Sequence, residues 1–80
     1  MNLEINKNNT VFCDKLPKLK MNDLLNEIFK RLSTFNKINN YCPDNITLNY
    51  NDYLRIKEER PELILTRDGQ DYILCMRITY

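Results

Sequence analysis

Three carboxylates, Glu58, Glu59 and Glu62, stand close together in the run Arg55-Ile56-Lys57-Glu58-Glu59-Arg60-Pro61-Glu62. Paired carboxylates are what acid–base hydrolysis requires. Here they are interleaved with lysine and arginine, the pattern of a solvated helix face. The chain has no histidine, which removes the commonest general base and both the Ser-His and Cys-His nucleophile pairs. Its single glycine, Gly69, rules out a Gly-rich phosphate cradle. The expectation from these residue types is a chain that is not an enzyme and takes no cofactor.

Cys13, Cys42 and Cys75 are odd in number and far apart, which fits reduced thiols better than a disulfide framework. A zinc site normally includes a close cysteine pair and three or four ligands, and with neither His nor CxxC no metal is expected. The one basic concentration is Lys15, Lys18, Lys20, Lys30, Arg31 and Lys37. It offers a nucleic-acid surface as an alternative reading, although no helix-turn-helix spacing or aromatic RNA-binding signature accompanies it. Tyrosine is abundant, at positions 41, 50, 53, 72 and 80, and tyrosine is enriched at protein interfaces because it supplies large contact area with little entropy loss.

These residues must be positioned by a small scaffold. Eighty residues fit one domain, residues 1–80, whose core supplies only a few kcal/mol. Self-association or a partner is therefore a natural source of further stability. Hydrophobic content of 42%, charged content of 29% and a net charge of +1 belong to a folded chain. The N-terminus lacks a basic and an apolar signal region, and no apolar run reaches the ~18–20 residues of a membrane span. A cytoplasmic location follows as the expectation, with no membrane contact.

Along the chain, Leu3–Ile5 and Thr10–Cys13 flank an Asn-rich turn and read as a hairpin or frayed arm. Asp14–Lys20 is a linker. From Asn22 to about Asn36, Leu24, Leu25, Ile28, Phe29, Leu32 and Phe35 recur at helical spacing, with Asn22 as expected N-cap and Glu27 placed to pair with Arg31. Residues 46–50 alternate as a short strand. A second helix runs from about Asp52 to Arg60, capped by Asn49 or Asn51 and stopped by Pro61.

The C-terminal third is a hairpin, Glu62–Arg67 and Gln70–Thr79 around Asp68-Gly69, a favoured two-residue turn. Leu65 then faces Tyr72, so Leu63, Leu65, Tyr72, Leu74, Met76 and Ile78 form the expected core face. Ile64, Thr66, Ile73, Cys75 and Arg77 line the other. The fold class predicted is α+β: an antiparallel sheet of three to five strands against one main helix plus a second short helix, in the order β(β)-α-β-α-β-β.

Ile64, Thr66 and Ile73 on the second face, the edge of the last strand at Tyr80, and Tyr41, Tyr50 and Tyr53 are the expected partner-binding residues, because an uncovered face or open edge is a template for docking. In general character, being short, rich in Asn, Lys and Tyr, and without catalytic signatures, the chain resembles the accessory proteins that bacteriophages of AT-rich hosts encode to block host enzymes or defences, anti-CRISPR proteins among them. The resemblance implies an inhibitor that binds a host protein in the host cytoplasm. A protein-binding protein, with a host target or a second copy as partner, is thus the leading expectation. A nucleic-acid-associated protein using Lys15–Lys37 is the alternative.

Overall fold

The structure is a computed structural model that describes residues 9–80. The Leu3–Ile5 half of the expected N-terminal hairpin lies outside the described residues. Strand β1 (Thr10–Cys13) leads through the linker into helix α1 (Met21–Asn39), followed by β2 (Asn45–Leu48) and helix α2 (Tyr50–Glu59). A short 3₁₀ turn (Pro61–Leu63) then precedes β3 (Ile64–Arg67), β4 (Gln70–Ile73) and β5 (Met76–Thr79).

Helix α1 is longer than its apolar periodicity implies. Lys20 rather than Asn22 stands at its N-cap, where the Leu24 N–H reaches the Lys20 carbonyl at 2.8 Å. Met21 in the first turn packs against the core and holds that turn helical. At the other end Asn40, with φ 63°, closes the helix in the left-handed conformation that asparagine tolerates. Leu24, Leu25 and Ile28 are buried, Leu32 and Phe35 are half-buried, and Phe29 turns to solvent. The Glu27–Arg31 pair forms at 2.8 Å. In α2 the Asn49 side chain accepts from the Asn51 N–H at 2.9 Å, the expected cap. Arg55 reaches back to the Leu19 carbonyl at 2.7 Å and pairs with the buried Asp52 at 3.1 Å, tying the linker to α2.

The sheet is mixed rather than antiparallel. Its order is β1-β2-β5-β4-β3, with β1–β2 and β2–β5 parallel and β5–β4 and β4–β3 antiparallel. Helix α1 is the crossover that makes β1 and β2 parallel, since parallel neighbours require a long connection. The Asp68-Gly69 turn forms as its residue types predict, with φ of 51° and 78° at its two positions. Both values are positive, as the favoured hairpin turn requires. Its register sets Leu65 opposite Tyr72 and Ile64 opposite Ile73.

The expected long last strand does not exist. Leu74 adopts φ 58°, and Leu74-Cys75 forms a second two-residue turn that folds β5 back on β4 with Ile73 opposite Met76. In a continuous strand those two residues, three apart, point to opposite faces. A two-residue turn makes them cross-strand partners on one face. The core face of the hairpin is therefore Ile64, Ile73, Met76 and Ile78, which join Val11, Cys13, Ile46 and Leu48 beneath Leu24, Leu25, Ile28, Tyr53 and Ile56. This corrects the expected assignment in part: Met76 and Ile78 are core as expected and Leu63 packs against it, but Leu65 and Leu74 are exposed and Ile73, expected on the other face, is core. The edge expected at the last strand is also absent, because β5 lies at the centre of the sheet and the edges are β1 and β3.

Candidate functional site

With the faces assigned, the proposed partner-binding residues separate into three groups. Ile73 is 2% exposed and Ile64 packs against the same core, so neither offers an open surface. Tyr41 stands apart, edge-on to Phe35 with ring centroids 5.6 Å apart. Tyr50, Tyr53, Thr66 and Tyr80 are brought together.

Their meeting follows from the element order. Tyr53 and Lys57 of helix α2 both reach Asp71 on β4, which sets the Tyr53 ring against that part of the sheet. The chain leaves β5 at Thr79, so Tyr80 stacks on Tyr53, with centroids 4.6 Å apart and planes at 15°. Tyr50, one turn before Tyr53, contacts Tyr80 at 5.0 Å. Tyrosines 50, 53 and 80 thus form one aromatic group, of which Tyr53 and Tyr80 line an open recess of about 550 Å³ together with Lys57, Thr66, Gln70, Asp71 and Thr79.

A polar network fixes the innermost ring. The Tyr53 hydroxyl donates to Asp71 Oδ2, the Thr66 hydroxyl donates to Asp71 Oδ1 at 2.6 Å, and Lys57 Nζ lies 3.4 Å from Oδ2. Lys57 also sits 5.3 Å from the Tyr53 ring centroid, within cation–π range. The Thr66 and Tyr53 hydrogen bonds hold the Asp71 carboxyl below the usual aspartate range. Bonding to Asp71, with burial, pushes the Tyr53 phenol up, and bonding to Tyr53 and Asp71 pushes the Lys57 ammonium up. All three shifts move away from neutrality. Asp71 stays ionised and Tyr53 and Lys57 stay protonated near pH 7, so the network orders side chains and holds no group poised for proton transfer.

The sign of the Asp71 shift makes a stability prediction. A carboxylate depressed in the folded state contributes stability above its unfolded pKa and loses it as pH falls through the folded value. Asp71→Asn is expected to lower stability at pH 7 by roughly 1–3 kcal/mol, the scale of hydrogen bonds to a charged group. Urea melts of both proteins at pH 7 and at about pH 2.5 should show that deficit shrinking in acid. A deficit equal at both pH values would mean that the Asp71 charge contributes nothing.

The basic residues do not converge. Lys20 begins α1 and Lys37 lies in its last turn, roughly 25 Å apart at 1.5 Å rise per residue. Arg31 is engaged by Glu27 and by the Phe12 carbonyl, to which its Nη1 donates at 2.9 Å. Lys30 lines the groove beside β1, and Lys18 borders a separate recess of about 300 Å³ near Arg55. Lys15 is exposed in the turn after β1. In the sequence Asp23 and Glu27 interrupt the six cations.

Asp71 and Lys57 escape notice in the sequence. Asp71 sits between Gln70 and Tyr72 with nothing to mark it, and its partner Tyr53 lies 18 residues upstream.

No family model, curated protein or solved structure matches the chain. Among the described residues no helix is long and apolar enough to cross a membrane, and no group of three or more Cys, Asp or Glu side chains is arranged to hold a metal ion.

Proposed function

We propose that this domain acts without catalysis, by binding another protein through the Tyr50–Tyr53–Tyr80 surface. The observation that carries this reading is the stacked but open aromatic group: Tyr50 is 52% and Tyr80 66% exposed, yet both rings pack against Tyr53 and each other. Exposed aromatic rings already held in place lose little freedom on binding, so more of their buried area appears as affinity. Leu54, also exposed on α2, extends the apolar area, and Lys57 and Gln70 supply a polar rim. The occupant is a target protein or a second copy of the chain. The phage-type inhibitor suggested by the general character of the sequence is the specific form of this reading: a small rigid surface that occludes a host protein in the host cytoplasm.

The test compares capture from host lysate, and self-association by sedimentation, for the wild type, a Tyr50→Ala/Tyr80→Ala variant and a Lys15→Ala/Lys37→Ala variant. The tyrosine variant should keep its fold, because both rings are largely in solvent, and lose about 30-fold or more in affinity, the scale of an interface hot spot. The lysine variant should bind as the wild type does. Binding that survives the tyrosine changes but is lost with the lysines, and that falls steeply with salt, would replace this reading with nucleic-acid association.

A further inference from the structure

Cys42 and Cys75 are 33 positions apart in the chain, yet the sheet makes them neighbours. Strands β2 and β5 run parallel with Asn45 beside Arg77, and the Arg77 N–H donates to the Asp44 carbonyl at 2.9 Å. The segment entering β2, Tyr41 to Asp44, therefore runs beside the Leu74-Cys75 turn entering β5. Each cysteine is held by its surroundings. Pro43 is fully buried and anchors the backbone next to Cys42, whose sulfur also accepts from Asn36 Nδ2 at 3.8 Å. The left-handed Leu74 sets the tight turn that presents Cys75. Both thiols are exposed and the parallel β2–β5 pairing brings their segments side by side, close enough for Cys42 to act on the Cys75 thiol, whereas Cys13 is sealed in the core.

We propose that Cys42 and Cys75 form a dithiol modification site that closes to an intramolecular disulfide on reaction with a low-molecular-mass disulfide, and reopens with a thiol. In the first step one cysteine, as thiolate, attacks the reagent RSSR. A protein–SR mixed disulfide forms and RS⁻ leaves, taking up a proton as RSH. The second cysteine loses its proton, attacks the protein sulfur of the mixed disulfide and expels the second RS⁻, again protonated to RSH. The dithiol gives up two electrons, the reagent accepts them, and one RSSR becomes two RSH.

The product staples the α1–β2 loop to the β4–β5 turn at the end of the sheet where the neighbouring strands β2 and β5 begin. Burial, and then the bond to Cys42, raise the Cys75 thiol above its ordinary range, so closure should speed up with rising pH as more thiolate forms. Burial pushes Cys13 up to about 11, which leaves it protonated and unreactive at neutral pH. The site does not depend on the tyrosine surface or on what that surface binds.

The experiment treats the purified, reduced chain with oxidised glutathione and follows intact mass, peptide maps and thermal melting. The expected result is a chain lighter by two hydrogens, one Cys42–Cys75 cross-linked peptide, and a Tm raised by roughly 10–20 °C because the unfolded chain is now looped. Dithiothreitol should reverse all three changes. Cys42→Ser and Cys75→Ser, both at exposed positions, should each carry a single glutathione on the remaining exposed thiol and show no such rise in Tm. Glutathione on both cysteines of the wild type, disulfide-linked dimers, or no reaction would each overturn the proposal.

Discussion

Ile73→Lys is expected to unfold the domain. Ile73 is 2% exposed and ends β4 just before the Leu74-Cys75 turn, paired with Ile64 on β3 and Met76 on β5. A lysine there must bury its ammonium without a partner or force the hairpin off the helices. An unpaired buried charge costs several kcal/mol even after the protein relaxes, comparable to the roughly 3–5 kcal/mol that a core of this size supplies. Circular dichroism should show lost structure at 25 °C. Thr66→Glu makes a useful contrast, because Thr66 is exposed at the rim of the recess. Its new charge would stand beside Asp71, so it should weaken the Tyr53 network and leave the domain folded. A folded Ile73→Lys protein would mean that the β3–β4 hairpin presents its other face to the helices.

Ile28→Ala is the second large effect. Ile28 is 1% exposed at the centre of α1, where that helix crosses the sheet. Truncation removes three carbons and leaves a void that a small, closely packed core fills only in part, at a cost of about 2–5 kcal/mol. Leu32→Ala, one turn later at a half-buried site, should fall at or below the lower end of that range. Lys30→Ala on the solvent side should change stability by less than about 0.5 kcal/mol. Equilibrium urea denaturation of the three variants should return that order. If Lys30→Ala proved the most damaging, the buried face of α1 would have to be reassigned.

The helices were legible because their signal is local. Leu24, Leu25 and Ile28 recur at 3.6-residue spacing, Asn49 is a cap residue followed by a short amphipathic run, and Pro61 ends it. The Asp68-Gly69 turn was legible for the same reason, since the conformation it needs is one that few residue pairs adopt cheaply. The Leu74-Cys75 turn carried no such mark. Leucine at positive φ is strained by about 1–3 kcal/mol, and the strain persists because the reversal places Met76 and Ile78 in the core between β2 and β4. Residues 70–79 taken as one strand put Met76 and Ile78 correctly in the core but placed Leu65 and Leu74 there in place of Ile64 and Ile73.

Of the tyrosine site, the sequence offered the residue types and an expectation that Tyr50, Tyr53, Thr66 and Tyr80 meet a partner. It could not separate them from Ile64 and Ile73, or show that Asp71 and Lys57 hold them, because those contacts bridge two strands and a helix. Nor could it pair Cys42 with Cys75, whose nearness depends on β5 lying beside β2.

The α+β class, the two helices, the first hairpin turn and its register all follow from preferences within a few neighbouring residues, and so could be read from the chain alone. Tertiary structure decided the strand order, the parallel pairs, the second turn, which hairpin face is core, and which side chains share a site. Those features are set by the burial of residues distant in the chain, where the gain from enclosing Ile73, Met76 and Ile78 together outweighs the local strain at Leu74.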